Sequence, residues 1–310
     1  MTYLDLGLVQ PEGPASKIGY ESGDAYMPNK ASDRTIPVPD DVTKLKLIDK
    51  DTGENFTFNT HADLAEFKFQ RYMQRYLRTI QSIDDNMGRL LQILDEEGVA
   101  DNTVVIYTSD QGFFLGQHGW FDKRFLYEES FQMPYLIRWP SQIKPGSVNK
   151  DIISNVDFAP TWLEIAGVHQ PSYMQGYSFL PLLKGHTPQD WQKVAYHRYW
   201  MNADRTHNAL AHYGIRDQRY KLIFWYADDL GVEGALPTAP GQGVGPDGEK
   251  EWELFNCHED PSELFNVYHE QRYVSVRAEM TKKLERKMEE IGDVPYHLSG
   301  LGGKRRQLKL

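Results

Sequence analysis

Apolar residues recur at spacings of three and four from Phe69 to Leu94, through Tyr72, Met73, Tyr76, Ile80, Ile83, Met87, Leu90 and Leu91. That period is helical and predicts one long amphipathic helix over 62–98, closed by Gly98. Asn102-Thr103 then leads into Val104-Val105-Ile106-Tyr107-Thr108, a β-branched run that predicts a strand buried on both faces. Helix, glycine turn and strand make an αβ unit. Residues 109–130 read as a long loop, 134–140 as a second strand, and 152–167 as a turn and helix with Asp157 at its N-cap and Pro160 in its first turn. Pro181, Gly185 and Pro188 mark a subdomain junction in 180–190.

From 194 onward the pattern becomes antiparallel. Aromatic-rich strands are predicted over 194–200, 211–215, 220–226 and 252–256. Val274, Val276, Met280, Leu284, Met288 and Ile291 then predict a helix over 272–291 that covers one face of the small sheet. Residues 1–60 are rich in Pro, Gly, Asp and Asn and predict an extended segment that wraps over another surface, with no packed core element of its own. The Gly/Pro-rich stretch 228–250 reads as an excursion and 301–310 as a flexible basic tail. The predicted organisation is therefore 1–60 wrapping segment, 61–190 α/β domain, 191–300 C-terminal subdomain and 301–310 tail.

Composition changes this picture only at a few points. With 310 residues, 40% hydrophobic and 25% charged, the chain can bury a globular core. A net charge of −10 argues against non-specific binding to nucleic acid, while a few local cations suffice for an anionic substrate. Cys257 is the only cysteine, so no intrachain disulfide forms. No run of about 18 apolar residues predicts a membrane span. The opening MTYLDLGLVQPEGP lacks the basic and apolar regions of a secretory signal.

Candidate chemistry concentrates in one loop. Ser109-Asp110-Gln111-Gly112 follows the predicted strand 103–108 directly, and ligands of α/β folds gather at the carboxyl ends of strands. Asp110 and Gln111 offer hard oxygen donors, which suit Ca²⁺ or Mg²⁺ better than Zn²⁺. A strand-end Asp also caps turns, so the pair alone is ambiguous. His118 and Lys123 follow in the same loop. Lys123 can hold an oxyanion such as sulfate or phosphate, and His118 can donate a proton or a hydrogen bond to one. A single loop lysine is ordinarily a solvated charge; four such residues within fourteen positions point to a site.

Several segments resemble the sulfatase family of the alkaline-phosphatase-like superfamily. They are Ser82–Leu90, Asp101–Asp110, Gly116-Gln117-His118-Gly119, Asp122–Glu129 and Asn155–Thr161. Tyr213–Arg216, Tyr220–Ile223, Trp252–Phe255 and Asp260–Leu264 also fit, in the family's order. The Asp122-Lys123-Arg124 and Leu126-Tyr127-Glu128 pattern is similar to sulfatases that act on sulfated sugars, the N-acetylglucosamine-6-sulfatase type among them. The resemblance implies an alkaline-phosphatase-like α/β sandwich, here partial and lacking N-terminal strands, plus a small antiparallel-sheet-and-helix subdomain. It implies hydrolysis of sulfate esters with a Ca²⁺, or Mg²⁺, in which Asp110 matches a metal ligand and Lys123 the lysine that holds the sulfate. Gln111 stands where the family usually has Asn or His, and keeps the oxygen one methylene further out. His118 lines the pocket. His212 and Arg216 are the candidates for touching the sugar.

The family's nucleophile, a formylglycine made within Cys/Ser-x-Pro-x-Arg, has no precursor motif here, and Cys257 lies in Asn256-Cys257-His258-Glu259-Asp260-Pro261. The family's second pair of metal-binding carboxylates has no match either. The expectation is a chain matching the C-terminal part of a sulfatase, inactive or nearly so on its own, with a sheet edge open to self-association or to a missing N-terminal half. A non-catalytic binder of sulfated sugars and a phosphoesterase of the same superfamily are the alternatives. The family suggests a periplasmic, secreted or lysosomal location, which the residues themselves do not show.

Overall fold

The computed structural model describes residues 8–9, 39–49, 51–203, 209–230, 235–237, 250–293 and 297. The predicted tail 301–310 and most of the predicted excursion 228–250 lie outside the described residues, as does most of the segment before Pro39. The described residues form two compact units: those up to 103 with 113–122, and 104–112 with those from 123 onward.

In the first unit, β1 (Leu8–Val9), β2 (Lys46–Asp49) and β3 (Asn55–Thr57) form a three-stranded antiparallel sheet. Val42, Leu45, Leu47, Phe58 and Leu64 are buried together, with Phe56 and Phe67 against them. The expectation of no packed core element in 1–60 therefore fails for 42–58. The local Asp and Gly residues there make a tight β2–β3 turn, with Gly53 at φ +75°, and that turn folds the apolar positions onto one face.

Helix α1 (His61–Glu96) matches the predicted periodicity. Thr60 and Asp63 form a reciprocal capping box, the Thr60 Oγ1 accepting from the Asp63 amide and the Asp63 carboxylate from the Thr60 amide. At the other end Gly98 adopts φ +68°, and Val99 N–H returns to the Leu94 carbonyl at 3.0 Å. The N-terminal turns pack on the sheet, where Arg71 pairs with Asp49. Leu77, Ile80, Ile83, Leu90 and Ile93 stay exposed. Strands β5 (Phe114–Leu115) and β6 (Phe121–Asp122) form a small ladder in the same unit.

In the second unit β4 (Val105–Thr108) pairs antiparallel with β7 (Tyr135–Arg138). The prediction of a strand buried on both faces is corrected: all four β4 residues are half-buried, because β7 is its one partner among the described residues. The region read as a long loop contains the one-turn helix α2 (Glu128–Phe131). Helix α3 (Phe158–Ile165) begins at Asp157 as predicted. The fully buried Asp157 carboxylate accepts from Ser154 N, Tyr177 N and Gln192 Nε2, at 2.8, 2.8 and 2.6 Å, and so ties three segments together. A short helix α4 (Leu180–Leu183) occupies the predicted junction.

The C-terminal strands appear where the pattern placed them. β8 (Ala195–Tyr199), β9 (His212–Arg216), β10 (Tyr220–Trp225) and β11 (Glu251–Asn256) make one antiparallel sheet in the order β11-β10-β9-β8. Alternation along each strand sends Tyr213, Ile215, Leu222, Phe224 and Leu254 to one face. There they meet Met280, Leu284 and Met288 of helix α5 (Val274–Ile291). Each such side chain contributes on the order of 2 kcal/mol by leaving water.

Candidate functional site

The loop at the end of β4 and the segment after Asp122 converge on Ser130 of α2. Gly112 N–H donates to the Ser130 carbonyl at 2.9 Å, and Arg124 N–H donates to Ser130 Oγ at 3.3 Å. Gly112 is required for this approach, since a Cβ there would stand 2.1 Å from the Glu129 carbonyl oxygen. The junction brings Asp110 and Gln111 next to the segment that carries Lys123. Asp110 is exposed, and its Oδ1 accepts from Gln111 N at 3.1 Å and Ser109 Oγ at 3.3 Å. Lys123 is half-buried between Asp122 and Arg124, whose φ values are +78° and +120°. Left-handed backbone at a non-glycine residue costs about 1–3 kcal/mol, and is kept where the surroundings over-determine it.

What over-determines it is the other face of the C-terminal sheet. Register places His197, His212, Gly214, Arg216, Lys221, Ile223, Trp225, Glu253 and Phe255 on the side opposite α5. The segment 125–131 lies on that side. Leu126 is fully buried against Gly214, where a Cβ would come within 2.6 Å of Leu126 Cδ2. Beside it Lys221, fully buried, has Nζ 2.7 Å from both Glu128 Oε1 and Glu263 Oε1. Arg216 Nε reaches Glu128 Oε1 at 3.2 Å, and Glu128 N–H donates to Glu263 Oε2 at 2.7 Å. Burial pushes the Glu128 carboxyl up, but Lys221 and Arg216 overcome it and hold it below the ordinary range. Burial raises Glu263, and Lys221 offsets this only in part.

Glu253 completes the face. Its Oε2 accepts from Trp225 Nε1 at 2.7 Å and from Tyr127 Oη at 3.0 Å. Burial first, then the charges of Glu251 and Glu263, push its carboxyl up to about 7 against those two hydrogen bonds.

This face changes the expectation for the sugar contacts. His212 is fully buried, with its ring 4.3 Å from Trp225 and stacked on Phe125 and Tyr199. Its Nδ1 donates to the Leu210 carbonyl at 2.8 Å, and Nε2 has no hydrogen-bond partner among the described residues. Burial, then the neighbouring His197, lowers its pKa to about 3, so the ring is neutral. Arg216 is engaged with Glu128. Neither His212 nor Arg216 is a surface contact in this structure, because the two-residue period of β9 turns both beneath the 125–131 segment.

His118 belongs to the first unit, where its ring stacks on Trp120 and stands edge-on to Phe114, with φ +55°. Cys257 follows β11 as a buried thiol 3.7 Å from Glu263, pushed up to about 12 by burial, and is no nucleophile at neutral pH. Asp110 and Gln111 have the oxygen chemistry of a calcium site, but two side-chain oxygens fall short of the six to eight that Ca²⁺ takes. Among the described residues no group of three or more His, Cys, Asp or Glu could hold a metal ion. The described residues do not complete such a site around the pair.

Sequence reasoning missed the roles of Ser130, Lys221, Glu253 and Glu263. A lysine flanked by Tyr220 and Leu222 inside an otherwise apolar strand was the available signal for a buried ion pair.

Comparison with known proteins defines the class first. The structure matches that of a protein solved in complex with its substrate D-glucosamine-2-N,6-O-disulfate, at TM-score 0.67 and 41% identity over 78% of this chain and 45% of that one. A phosphonate monoester hydrolase from Silicibacter pomeroyi matches at TM-score 0.59 and 24% identity, over 74% of this chain and 43% of that one, and shares the fold. The architecture is thus part of an alkaline-phosphatase-like α/β fold, as the sequence implied.

The sulfatase family model matches residues 21–168, and the model for the C-terminal region of N-sulphoglucosamine sulphohydrolase matches 116–233. The N-acetylglucosamine-6-O-sulfatase of Bacteroides thetaiotaomicron is 44% identical over 232 residues, 74% of this chain and 38% of that protein. The chain belongs to the sulfatase family. It spans less than half the length of these relatives. Among the described residues no helix is long and apolar enough to cross a membrane.

Proposed function

We propose that this chain carries the sulfate-holding part of a sulfuric ester hydrolase that acts on a sulfated amino sugar. The observation behind this reading is the junction at Ser130, which joins the strand-end Asp110–Gln111 pair to the strained segment bearing Lys123. The names of two relatives supply the substrate class, a glucosamine sulfated at O6. Lys123 pairs its ammonium with the sulfate oxygens as a point charge. Asp110 and Gln111 would contribute two oxygens to a Ca²⁺, an ion that takes six to eight and would polarise the sulfate. For His118 the family resemblance alone suggests a role, as a donor to the sulfate or to the leaving oxygen. His212 meets the sugar only once Phe125 moves off its ring; its buried Nε2, an acceptor with no donor among the described residues, supports that step.

Sulfatase chemistry needs an activated nucleophile, and this sequence contains no Cys/Ser-x-Pro-x-Arg. The 310-residue polypeptide by itself therefore turns over sulfate esters negligibly. Measured hydrolysis of an aryl sulfate by the purified polypeptide, abolished by Lys123→Ala, would overturn the inactivity and uphold the role of Lys123. The missing motif also favours a second reading, a non-catalytic binder of sulfated sugars. Reading the coding DNA upstream of Met1 separates the two: an in-frame nucleophile motif supports the hydrolase, and its absence supports the binder. Calorimetric titration with Ca²⁺ is expected to show weak or no binding to the polypeptide alone. Tight binding would mean that the metal ligands are complete within it.

A further inference from the structure

The face of the C-terminal sheet opposite α5 buries charged groups among its apolar side chains Ile223, Trp225 and Phe255. It carries Arg216, Lys221 and Glu253, and meets Glu128 and Glu263 from outside the sheet. A packing role alone would be met more cheaply by aliphatic side chains, since removing charges from water costs several kcal/mol per ion. The hydrogen bonds share a target. Glu253 accepts from Tyr127 Oη, Lys221 and Arg216 hold the Glu128 side chain, and Glu263 holds the Glu128 amide. Residues 127 and 128 therefore receive contacts from β9, β10, β11 and the turn after β11. They sit four and five positions beyond Lys123. Arg124, the strained neighbour of Lys123, is held from the same one-turn helix through Ser130.

We infer that Glu253 and Lys221 are positioning residues for Lys123, and that the sheet of the C-terminal subdomain acts as the bed that holds the anion-binding lysine in place. The inference rests on the reading of Lys123 as the sulfate cation. Two latches, the Tyr127–Glu253 hydrogen bond and the Glu128–Lys221–Glu263 ion pairs, fix the chain direction after Lys123 and so allow the left-handed backbone at Arg124. The latches differ in charge. In the second, Lys221 and Arg216 face Glu128 and Glu263. In the first, the hydrogen-bond partners of Glu253 are the uncharged Tyr127 and Trp225, and the charges that face it, Glu251 and Glu263, are of its own sign, so it can be altered without leaving a lone cation behind.

The test uses the full polypeptide and the variants Glu253→Ala, Glu253→Gln and Tyr127→Phe. Two quantities are measured: hydrogen exchange of peptides covering 123–131, and the rate at which Lys123 is acylated with and without inorganic sulfate. In Glu253→Ala and Tyr127→Phe, exchange over 123–131 is expected to rise about tenfold while β9 and β10 peptides stay protected. Glu253→Gln, whose amide oxygen still accepts from Tyr127, is expected to restore protection. Sulfate is expected to slow Lys123 acylation in the wild type, and to need a several-fold higher concentration to do so in Glu253→Ala and Tyr127→Phe.

Unchanged exchange over 123–131 in both Glu253→Ala and Tyr127→Phe overturns the latch. Should Glu253→Ala fail to fold, Tyr127→Phe, which keeps the ring against Phe255, decides the point. A rise in exchange with no change in the sulfate concentration overturns the positioning role. Wild-type acylation indifferent to sulfate overturns the reading of Lys123 itself, and exchange then reports on the latch separately.

Discussion

Replacing Glu253 with Gln should make the protein more stable at alkaline pH and leave it nearly unchanged in acid. The carboxyl is buried on β11, and its partners are the Tyr127 hydroxyl and the Trp225 indole N–H. Glu251 on the same strand and Glu263 beyond it face it with like charge. Its pKa rises from the ordinary 4.5 to about 7, with burial the largest cause. In the unfolded chain the group loses its proton near 4.5, and in the fold only near 7. Between these values the unfolded state binds fewer protons, so stability falls as pH rises. The accumulated loss above pH 7 is about 3 kcal/mol. Glutamine carries no charge at any pH and keeps an oxygen acceptor. It forgoes the stronger hydrogen bonds of the carboxylate, worth about 1 kcal/mol. The net expectation is that Glu253→Gln gains about 2 kcal/mol over the wild type at pH 8, and little or nothing at pH 4.5. Urea unfolding at several pH values between 4.5 and 8, followed by near-UV circular dichroism, measures both curves. A wild-type curve parallel to that of the variant, or a variant less stable at pH 8, would show that Glu253 is not held uncompensated in the fold.

Lys221→Met should cost about 3–5 kcal/mol at neutral pH, because it strands the buried Glu128 and Glu263 carboxylates; adding Glu263→Gln should recover part of the loss, and simple additivity in denaturant titrations would refute the pairing. Gly214→Ala places a Cβ 2.4 Å from the Leu222 carbonyl oxygen and 2.6 Å from Leu126, so a destabilisation of about 2 kcal/mol is expected in thermal melts, and an unchanged melting temperature would contradict the seating of Leu126. Gly112→Ala should open the junction at Ser130, seen as faster proteolysis within 109–131, whereas wild-type resistance would mean the two loops are joined otherwise. Cys257 should resist thiol reagents at pH 8 until the chain is unfolded in urea; rapid labelling of the native protein would contradict its buried, raised pKa.

Much of the architecture is local and could be read directly. Spacings of three and four from Phe69 to Leu94 specify α1, and Thr60, Asp63 and Gly98 supply its ends. Alternating aromatics specify β8 to β11, and Met280, Leu284 and Met288 give α5 its buried stripe. These features follow from periods of 3.6 and 2.0, which a chain displays without reference to its neighbours. The chemical types at 110, 111, 118 and 123 were legible for the same reason, as was the sulfatase pattern that runs through them.

Partnership was not legible. Nothing in the order of residues says that Ser130 receives both Gly112 and Arg124, or that Tyr127 finds Glu253 across 126 positions. The same alternation that announced β9 left open which of its faces would be covered, so His212 and Arg216 read as free to reach a ligand. Tertiary packing settled that question by laying 125–131 across them. It also turned Lys221, by sequence an ordinary strand lysine, into the cation at the centre of a buried network. Hydrophobic period is a property of one segment, whereas burial of a charge depends on which distant groups arrive to pair with it, and only the folded chain brings them there.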